Sequence, residues 1–508
     1  MQSGSIPDAP AVAATPATRR YSLYVLLVLT LVSCLSSLDR QIVAILAESI
    51  KADLGLSDTQ VGLLYGTVFA VFHALFGLLL ARLADLWSRQ KLIAIALVCW
   101  SGLTACSGAA GNFWQLLLAR MGVSVGESVA SPASFSLLAQ WFSTRRRATA
   151  LALYSGGAFL GAGIGMALGG AVAQAWDVFF GAQAPWQLRG WQVAFFVAGA
   201  PGLLLALWTW RLRNPPAQPA VATRVSLWRE LTQAVPPFNG IALLCAGGRA
   251  ALLNAALLCV CAGAALWLAR VVGDPLQWSL LALGCYGAIT WLQHLHRREP
   301  AAAGALLGRG VIVWLALGCG FISAITASIS LWMAPYLIRS FGIDAATAGW
   351  RLGGAFAISG WLGVTLGGLW SDRWRVASTR GRVYVALLSA LLPVPLLGLS
   401  LGSRSFDACV AWLFAANLCA TLWVAAGSTS VQEAVPAAMR ATASAFYLLV
   451  VTYVGMSLGP YVVGRLSDQL GSLAAALLWQ TGAAALLAAA CLLTAARRVD
   501  AGPPQAAR

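Results

Sequence analysis

Gly368-Leu-Trp-Ser-Asp372-Arg373-Trp374, in the second half of the chain, answers Ala81-Arg-Leu-Ala-Asp85-Leu-Trp-Ser-Arg89 in the first. The two aspartates stand 287 positions apart, and each closes an apolar span in a sequence of 508 residues that is 59% hydrophobic and only 10% charged. Working outward, the first half reads as apolar spans at about 21–47, 58–82, 91–109, 112–141, 148–174 and 191–212, and the second as spans at about 310–337, 345–371, 382–402, 408–432, 441–464 and 472–495. The starts of corresponding spans differ by nearly the same displacement as the aspartates. One duplication therefore accounts for both features. Backbone polar groups cannot face hydrocarbon unpaired, so each span of roughly 20 apolar residues is read as a membrane-crossing helix.

The predicted fold is an all-α, polytopic membrane protein. Residues 1–20 form a tail, 21–212 a first six-helix bundle, 213–309 a central linker, 310–495 a second six-helix bundle, and 496–508 a second tail. Within the linker, Ala250–Leu268 and Leu276–Leu292 are themselves apolar and are joined through Gly273-Asp274-Pro275. An even number of added helices preserves the orientation of the second half, which brings the expected total to about 14. The hairpin is expected at the periphery.

Loop charge sets the direction of the helices. The first turn is acidic (Glu48, Asp53 and Asp58 around Lys51), the next carries Arg82, Arg89 and Lys91, and a later one on that second side holds Arg145, Arg146 and Arg147. With the basic loops cytoplasmic, both termini are cytoplasmic, and a bacterial inner membrane is expected. The net charge of +16 is then a consequence of topology and not a nucleic-acid surface. Eleven cysteines and three histidines form no ligand cluster, so no metal or cofactor is expected. No nucleophile is paired with a base and no phosphate-cradling loop occurs, which argues against an enzyme.

Ionisable residues inside the spans carry the functional reading, because each costs a few kcal/mol unless it faces protein or water. Asp39 and Arg40 lie in the first span. Arg120 and Glu127 lie in the fourth, seven residues apart and so on one face with Ser124 and Ser131. Asp39 and Glu127 are the candidate proton-coupling acids, and Arg40 and Arg120 the cations that an anionic solute would engage. A buried ion-pair network that only locks the helices together is the competing reading. Applying the repeat displacement, Thr326 matches Asp39 and Phe414 matches Glu127, so the charge sits in the first half alone. The second half offers Ser323, Thr326 and Ser330 at helical spacing. Tyr65, Phe69, Phe72, His73 and Tyr447 are expected to complete the binding surface, and Asp85, Arg89, Lys91, Asp372 and Arg373 to form a cytoplasmic gate. Seven glycines between Gly156 and Gly170 predict close helix packing.

The two-times-six plan with its paired aspartate stretches resembles the major facilitator superfamily. Leu38-Asp39-Arg40, Arg120-Met-Gly-Val-Ser-Val-Gly126-Glu127-Ser, and Arg147-Ala-Thr-Ala-Leu-Ala-Leu-Tyr154-Ser-Gly-Gly are similar to its Spinster branch. That resemblance implies a carrier of lysolipids or sphingoid phosphates that opens alternately to each side. It places the titrating acids at Asp39 and Glu127 and their charged partner at Arg40. In the first-half loop, Ala81, Leu86, Ser88 and Gln90 depart from the superfamily pattern. The expected function is proton-coupled secondary transport of an amphipathic anion by a monomer among membrane lipids. The alternatives are a carrier of small organic acids, a drug-exporting antiporter and, from another class, a membrane sensor.

Overall fold

The computed structural model describes residues 16–213, 238–245, 247–308, 310–436 and 439–499. They are helical throughout, and no strand occurs among them. The first bundle comprises α1 (Pro16–Leu54), α2 (58–86), α3 (Arg89–Gly108), α4 (113–141, in two pieces, Phe113–Glu127 and Ala130–Trp141), α5 (Thr144–Phe180) and α6 (Gly190–Trp210). The insert supplies α7 (Gly248–Val271) and α8 (Pro275–Arg298). The second bundle comprises α9 (Val311–Phe341), α10 (Ala345–Ala377), α11 (Gly381–Leu401), α12 (Phe406–Glu433), α13 (440–470) and α14 (Leu473–Val499). Twelve helices among the described residues are long and apolar enough to cross a membrane. The split, charge-bearing α4 and the arm α8 fall short of that measure, so twelve rather than fourteen meet it, while both halves keep their six.

The glycines of α5 pack as expected, and on two sides at once. A Cβ on Gly157, Gly161 or Gly165 would lie within 2.7 Å of the α1 carbonyls of Thr30, Cys34 or Leu38. A Cβ on Gly163 or Gly170 would meet Gly353 or Ala345 of α10 just as closely. Spacing of four along α5 thus lets α1 approach to backbone contact, and Gly163 and Gly170 do the same for the opposite half.

The halves join at the end that carries the α1–α2 and α9–α10 turns. One hydrophobic core there contains residues of both, including Leu46, Ile50, Tyr65, Trp332, Leu337 and Tyr461. Toward the other end the core divides, with one cluster around Trp100 and Leu137 and another around Ala316 and Trp423. A core that is shared at one end and split at the other is a bundle closed at the first end and parted at the second.

Polar contacts reinforce the closed end. Arg339 of α9 donates to both carboxylate oxygens of Asp58 (2.8 and 2.7 Å) and to Glu48 (2.6 Å). Asp58 is 3% exposed and also accepts from Ser467 at 2.7 Å and from Lys51. Asp468 of α13 accepts from the backbone N–H groups of Asp58 and Thr59 (3.1 and 2.8 Å) and from the Thr59 hydroxyl (2.5 Å). A carboxylate of one half thereby caps the N-terminus of a helix in the other, where unpaired N–H groups and the helix dipole favour an anion.

Two π-helical turns, Leu63–Val68 in α2 and Thr452–Ser457 in α13, face each other across the same joint. Pro460 lacks an N–H, so the Met456 carbonyl four residues earlier has no ordinary helical donor, and the π turn falls just there. The irregular backbone leaves acceptors that the partner uses. Thr67 donates to the Ser457 carbonyl at 2.8 Å, Trp332 donates to Pro460 at 2.9 Å, and Gly66 leaves room for the Met456 carbonyl.

The insert is not uniformly peripheral, which corrects the sequence expectation. In α7 only Asn254 and Ala265 are buried. By contrast α8 lies against both halves, with Ala288 packed on a cluster made by Val71 and Leu75 of α2 and Leu449 and Tyr453 of α13.

Candidate functional site

A cavity of about 330 Å³ lies between the halves, directly beneath the closed end. From the first half it is lined by Ser37, Arg40, Gln41, Tyr65, Ala158, Phe159 and Ala162. From the second it is lined by Ser323, Thr326, Ala327, Ser330, Phe356, Gly360, Asn417, Thr421 and Met456. Five predicted residues therefore meet here: Arg40, Tyr65, Ser323, Thr326 and Ser330. The walls differ as the repeat comparison anticipates, since Arg40 is the ionised residue of the lining and the second half contributes neutral polar groups beside Phe356.

Its roof is a bond across the pseudo-symmetry axis. Gln41 donates to Ser330 at 2.6 Å, and Tyr65 reaches the same hydroxyl at 3.4 Å. Gln41 and Ser330 are 289 positions apart, within two residues of the 287 that separate the paired aspartates, so nearly equivalent stretches of α1 and α9 touch where the two halves meet.

Behind the first-half wall stands the charged cluster. Arg40, with its side chain 30% exposed, sets Nε 3.5 Å from Oε2 of Glu127, whose side chain is fully buried. Glu127 also accepts from Ser36 at 2.9 Å. The Arg40 guanidinium lies 5.3 Å from the centre of the Phe69 ring, and the His73 ring stacks on Phe69 at 5.3 Å. The α2 backbone is held to α4 at this level, where Ser124 donates to the Phe69 carbonyl at 2.6 Å. Asp39 is 0% exposed, accepts from Thr104 at 3.3 Å, and feels the charges of Glu127, Arg120 and Arg40. One oxygen each of Asp39 and Glu127 and one Nη of Arg120 have no hydrogen-bond partner.

The arrangement is therefore layered. Arg40 faces the cavity, Glu127 touches Arg40 from behind, and Asp39 and Arg120 lie deeper and do not line the space. Phe69 and His73 also sit behind the lining, and Phe72 stacks on Phe76 at 6.5 Å. Tyr447 does not reach the site. It is 2% exposed in a second-half cluster, against Gly427 and Cys319. Gln41, Phe159, Asn417 and Thr421 were not singled out from sequence. Asn417 donates to Ser359 at 2.8 Å and stands one turn from Thr421, a spacing that a search for polar pairs at i and i+4 in α12 finds.

At the parted end, the described contacts of the expected gate residues Asp372 and Lys91 lie within their own halves. Asp372 accepts from Arg382 at 3.0 Å, Arg382 also pairs with Glu433, and Arg375 lies 3.4 Å from the same glutamate. Arg373 is exposed beside this network. Lys91 of α3 sits 5.5 Å from the ring centre of Trp210 of α6, and Arg89 opens α3. The side chain of Asp85 lies outside the described residues.

Two homologous bundles, closed at one end over a polar cavity and parted at the other, define a membrane transporter. Residues 29–317 and 315–508 each match the Major Facilitator Superfamily, and the chain belongs to that family, whose members are transporters and not enzymes. Within it the chain is Spinster-like. It is 24% identical to protein spinster homolog 1 of Xenopus tropicalis over 467 residues, 89% of this chain and 74% of that one. It is 29% identical to an MFS-type efflux pump of Mycolicibacterium smegmatis over 479 residues, 93% of this chain and 92% of the pump. The fold matches the crystal structure of a bacterial homolog to the human lysosomal transporter Spinster, in an inward-facing and unoccupied conformation. The TM-score is 0.71 at 24% identity, over 95% of this chain and 99% of that one.

Proposed function

We propose that this chain is a proton-coupled secondary transporter that moves an amphipathic anion of the lysolipid type by alternating access. The observation that carries the reading is the layered pair Arg40–Glu127, a guanidinium open to the cavity whose carboxylate partner is fully buried. An anionic head group entering the cavity competes with Glu127 for Arg40. Once Arg40 turns to the solute, Glu127 loses its ion-pair partner in a low-dielectric interior, a state that costs several kcal/mol and that a proton relieves. Solute binding and protonation are linked by that exchange, and Asp39, within reach of the same field, is the second acid. Phe159 and Phe356 with the alanines of α5 suit an acyl chain, and Ser323, Thr326, Asn417 and Thr421 suit the hydroxyl or ester groups of a head.

The closed end corresponds to the outer face of a bacterial inner membrane with both termini cytoplasmic, and the structure is then inward-facing. One chain encloses the cavity, in keeping with a monomer. The Mycolicibacterium relative's description as an efflux pump favours a second reading, export of a drug-like solute.

The test uses purified protein in proteoliposomes under an imposed pH gradient, with radiolabelled lysophosphatidylglycerol and a cationic dye as alternative solutes. Gradient-driven movement of the lysolipid is expected in the wild type. Glu127→Gln should lose it while keeping solute exchange without a gradient. Gradient-driven transport at the wild-type rate in that variant refutes the coupling, and movement of the dye alone selects the second reading.

A further inference from the structure

We propose that the inserted hairpin is a sliding cover over the seam between α2 and α13, and that it travels with the second half of the protein. The inference rests on alternating access, not on the identity of the solute.

Three observations carry it. First, α8 is two-faced. Leu276, Leu280, Gly284 and Ala288 recur every four residues and so form one stripe along the helix. Leu276 and Leu280 pack against the core that both halves share, the Tyr453 ring occupies the space that a Cβ on Gly284 would take, and Ala288 reaches the α2–α13 cluster. The opposite face is polar and turns to α7. Tyr286 donates to Asn254 at 2.8 Å, and Asn254 donates to Gln293 at 2.7 Å. These bonds fasten α7 to α8 as one body.

Second, the fastening to the transporter is one-sided. At the hairpin turn, Gly273 (φ 90°) and Asp274 (φ 55°) both adopt left-handed backbone conformations. Asparate side chains tolerate that region better than most, and the turn presents the Asp274 carboxylate to α13. It accepts there from Tyr461 at 2.9 Å and from Arg465 at 3.0 Å. Arg465 also donates to the Val272 carbonyl, and the Trp278 ring meets Tyr461 edge-on at 5.8 Å. The described polar bonds of the turn thus go to the second half, whereas toward α2, which α8 also approaches closely, the described packing is apolar, with Ala288 on the cluster that includes Val71 and Leu75.

Third, the seam beneath α8 has irregular backbone, with π turns on both sides and glycines admitting the backbone of the opposite half. Directional polar bonds resist sliding, while apolar contacts tolerate it so long as the surface stays covered. When the halves rock, α8 therefore keeps its place on α13 and moves across α2. The seam stays closed to acyl chains, so a membrane-borne solute reaches the cavity by another route.

The experiment uses full-length protein lacking its native cysteines and carrying Ala327→Cys in the cavity wall as a reporter. A membrane-impermeant maleimide is applied to oriented vesicles from the face that bears the α1–α2 turn, so that labelling reports opening of the closed end without any solute. Two cysteine pairs are then bridged by a short thiol cross-linker: Asp274→Cys with Arg465→Cys, joining hairpin to second half, and Ala288→Cys with Leu75→Cys, joining hairpin to first half. Labelling is expected to persist within twofold in the first and to fall at least tenfold in the second, with recovery on reduction of a cleavable linker. Loss in both, persistence in both, or the reverse order overturns the proposal. Failure of the uncrosslinked protein to label sinks alternating access itself, and the sliding cover with it.

Discussion

Arg339→Gln removes the strongest polar link between the halves. The guanidinium makes three charge-assisted hydrogen bonds to carboxylates of the first half, two to Asp58 and one to Glu48. Bonds to charged groups contribute about 1.5–3 kcal/mol each on net, but the Arg339 side chain is 29% exposed, so water replaces part of what is lost. Asp58 also keeps Lys51 and Ser467. A net loss near one bond, about 2 kcal/mol, follows. It falls on the closed state alone, because only there do α9 and α2 meet, and the ratio of open to closed end should rise roughly 30-fold. Pulsed electron paramagnetic resonance between spin labels at Ala52 and Gln469, exposed on opposite halves, reads that ratio as growth of a long-distance population. Lys51→Ala is the control, since Lys51 bonds Asp58 from within the same half. An unchanged distance distribution in Arg339→Gln, or an equal shift in Lys51→Ala, would show that the link does not hold the end shut.

Asp468→Ala should shift the same distribution in the same direction, because it strips the cap from the α2 N-terminus and leaves two backbone N–H groups without their acceptor. In equilibrium binding by microscale thermophoresis, Arg40→Ala should weaken an anionic lysolipid roughly 30-fold, the worth of one charged hydrogen bond, and spare a neutral monoacylglycerol; equal losses would remove Arg40 from charge recognition. Gly161→Ala should lower the thermal unfolding midpoint in detergent sharply, since its Cβ would sit 1.9 Å from the Cys34 carbonyl oxygen. Gly156→Ala, with nothing within 4 Å, should leave the midpoint unchanged or raise it. A similar midpoint for the two variants would contradict the packing described for α5.

Much of the site was legible because a bilayer penalises charge so heavily. Asp39, Arg40, Arg120 and Glu127 are conspicuous in apolar spans, and their presence alone points to an enclosed polar interior. Ser323, Thr326 and Ser330 were legible from helical spacing. Tyr447 was not, because α13 is largely apolar, so periodicity does not distinguish a face toward the cavity from one toward a neighbouring helix. The same uniformity hid the difference between α7 and α8. Both read as apolar spans, and only one lies on the seam.

By itself the sequence determined the class of fold, the repeat and the half that carries charge. Hydrocarbon admits only helices whose backbone bonds close internally, and a repeated pattern implies repeated structure. Tertiary structure alone decided which charged residue meets the cavity and which stands behind it, which pairs join the halves, and which end is closed. Those outcomes depend on the approach of helices distant in the chain, such as Arg339 to Asp58 and Gln41 to Ser330, and no local pattern encodes a contact whose partners belong to different halves.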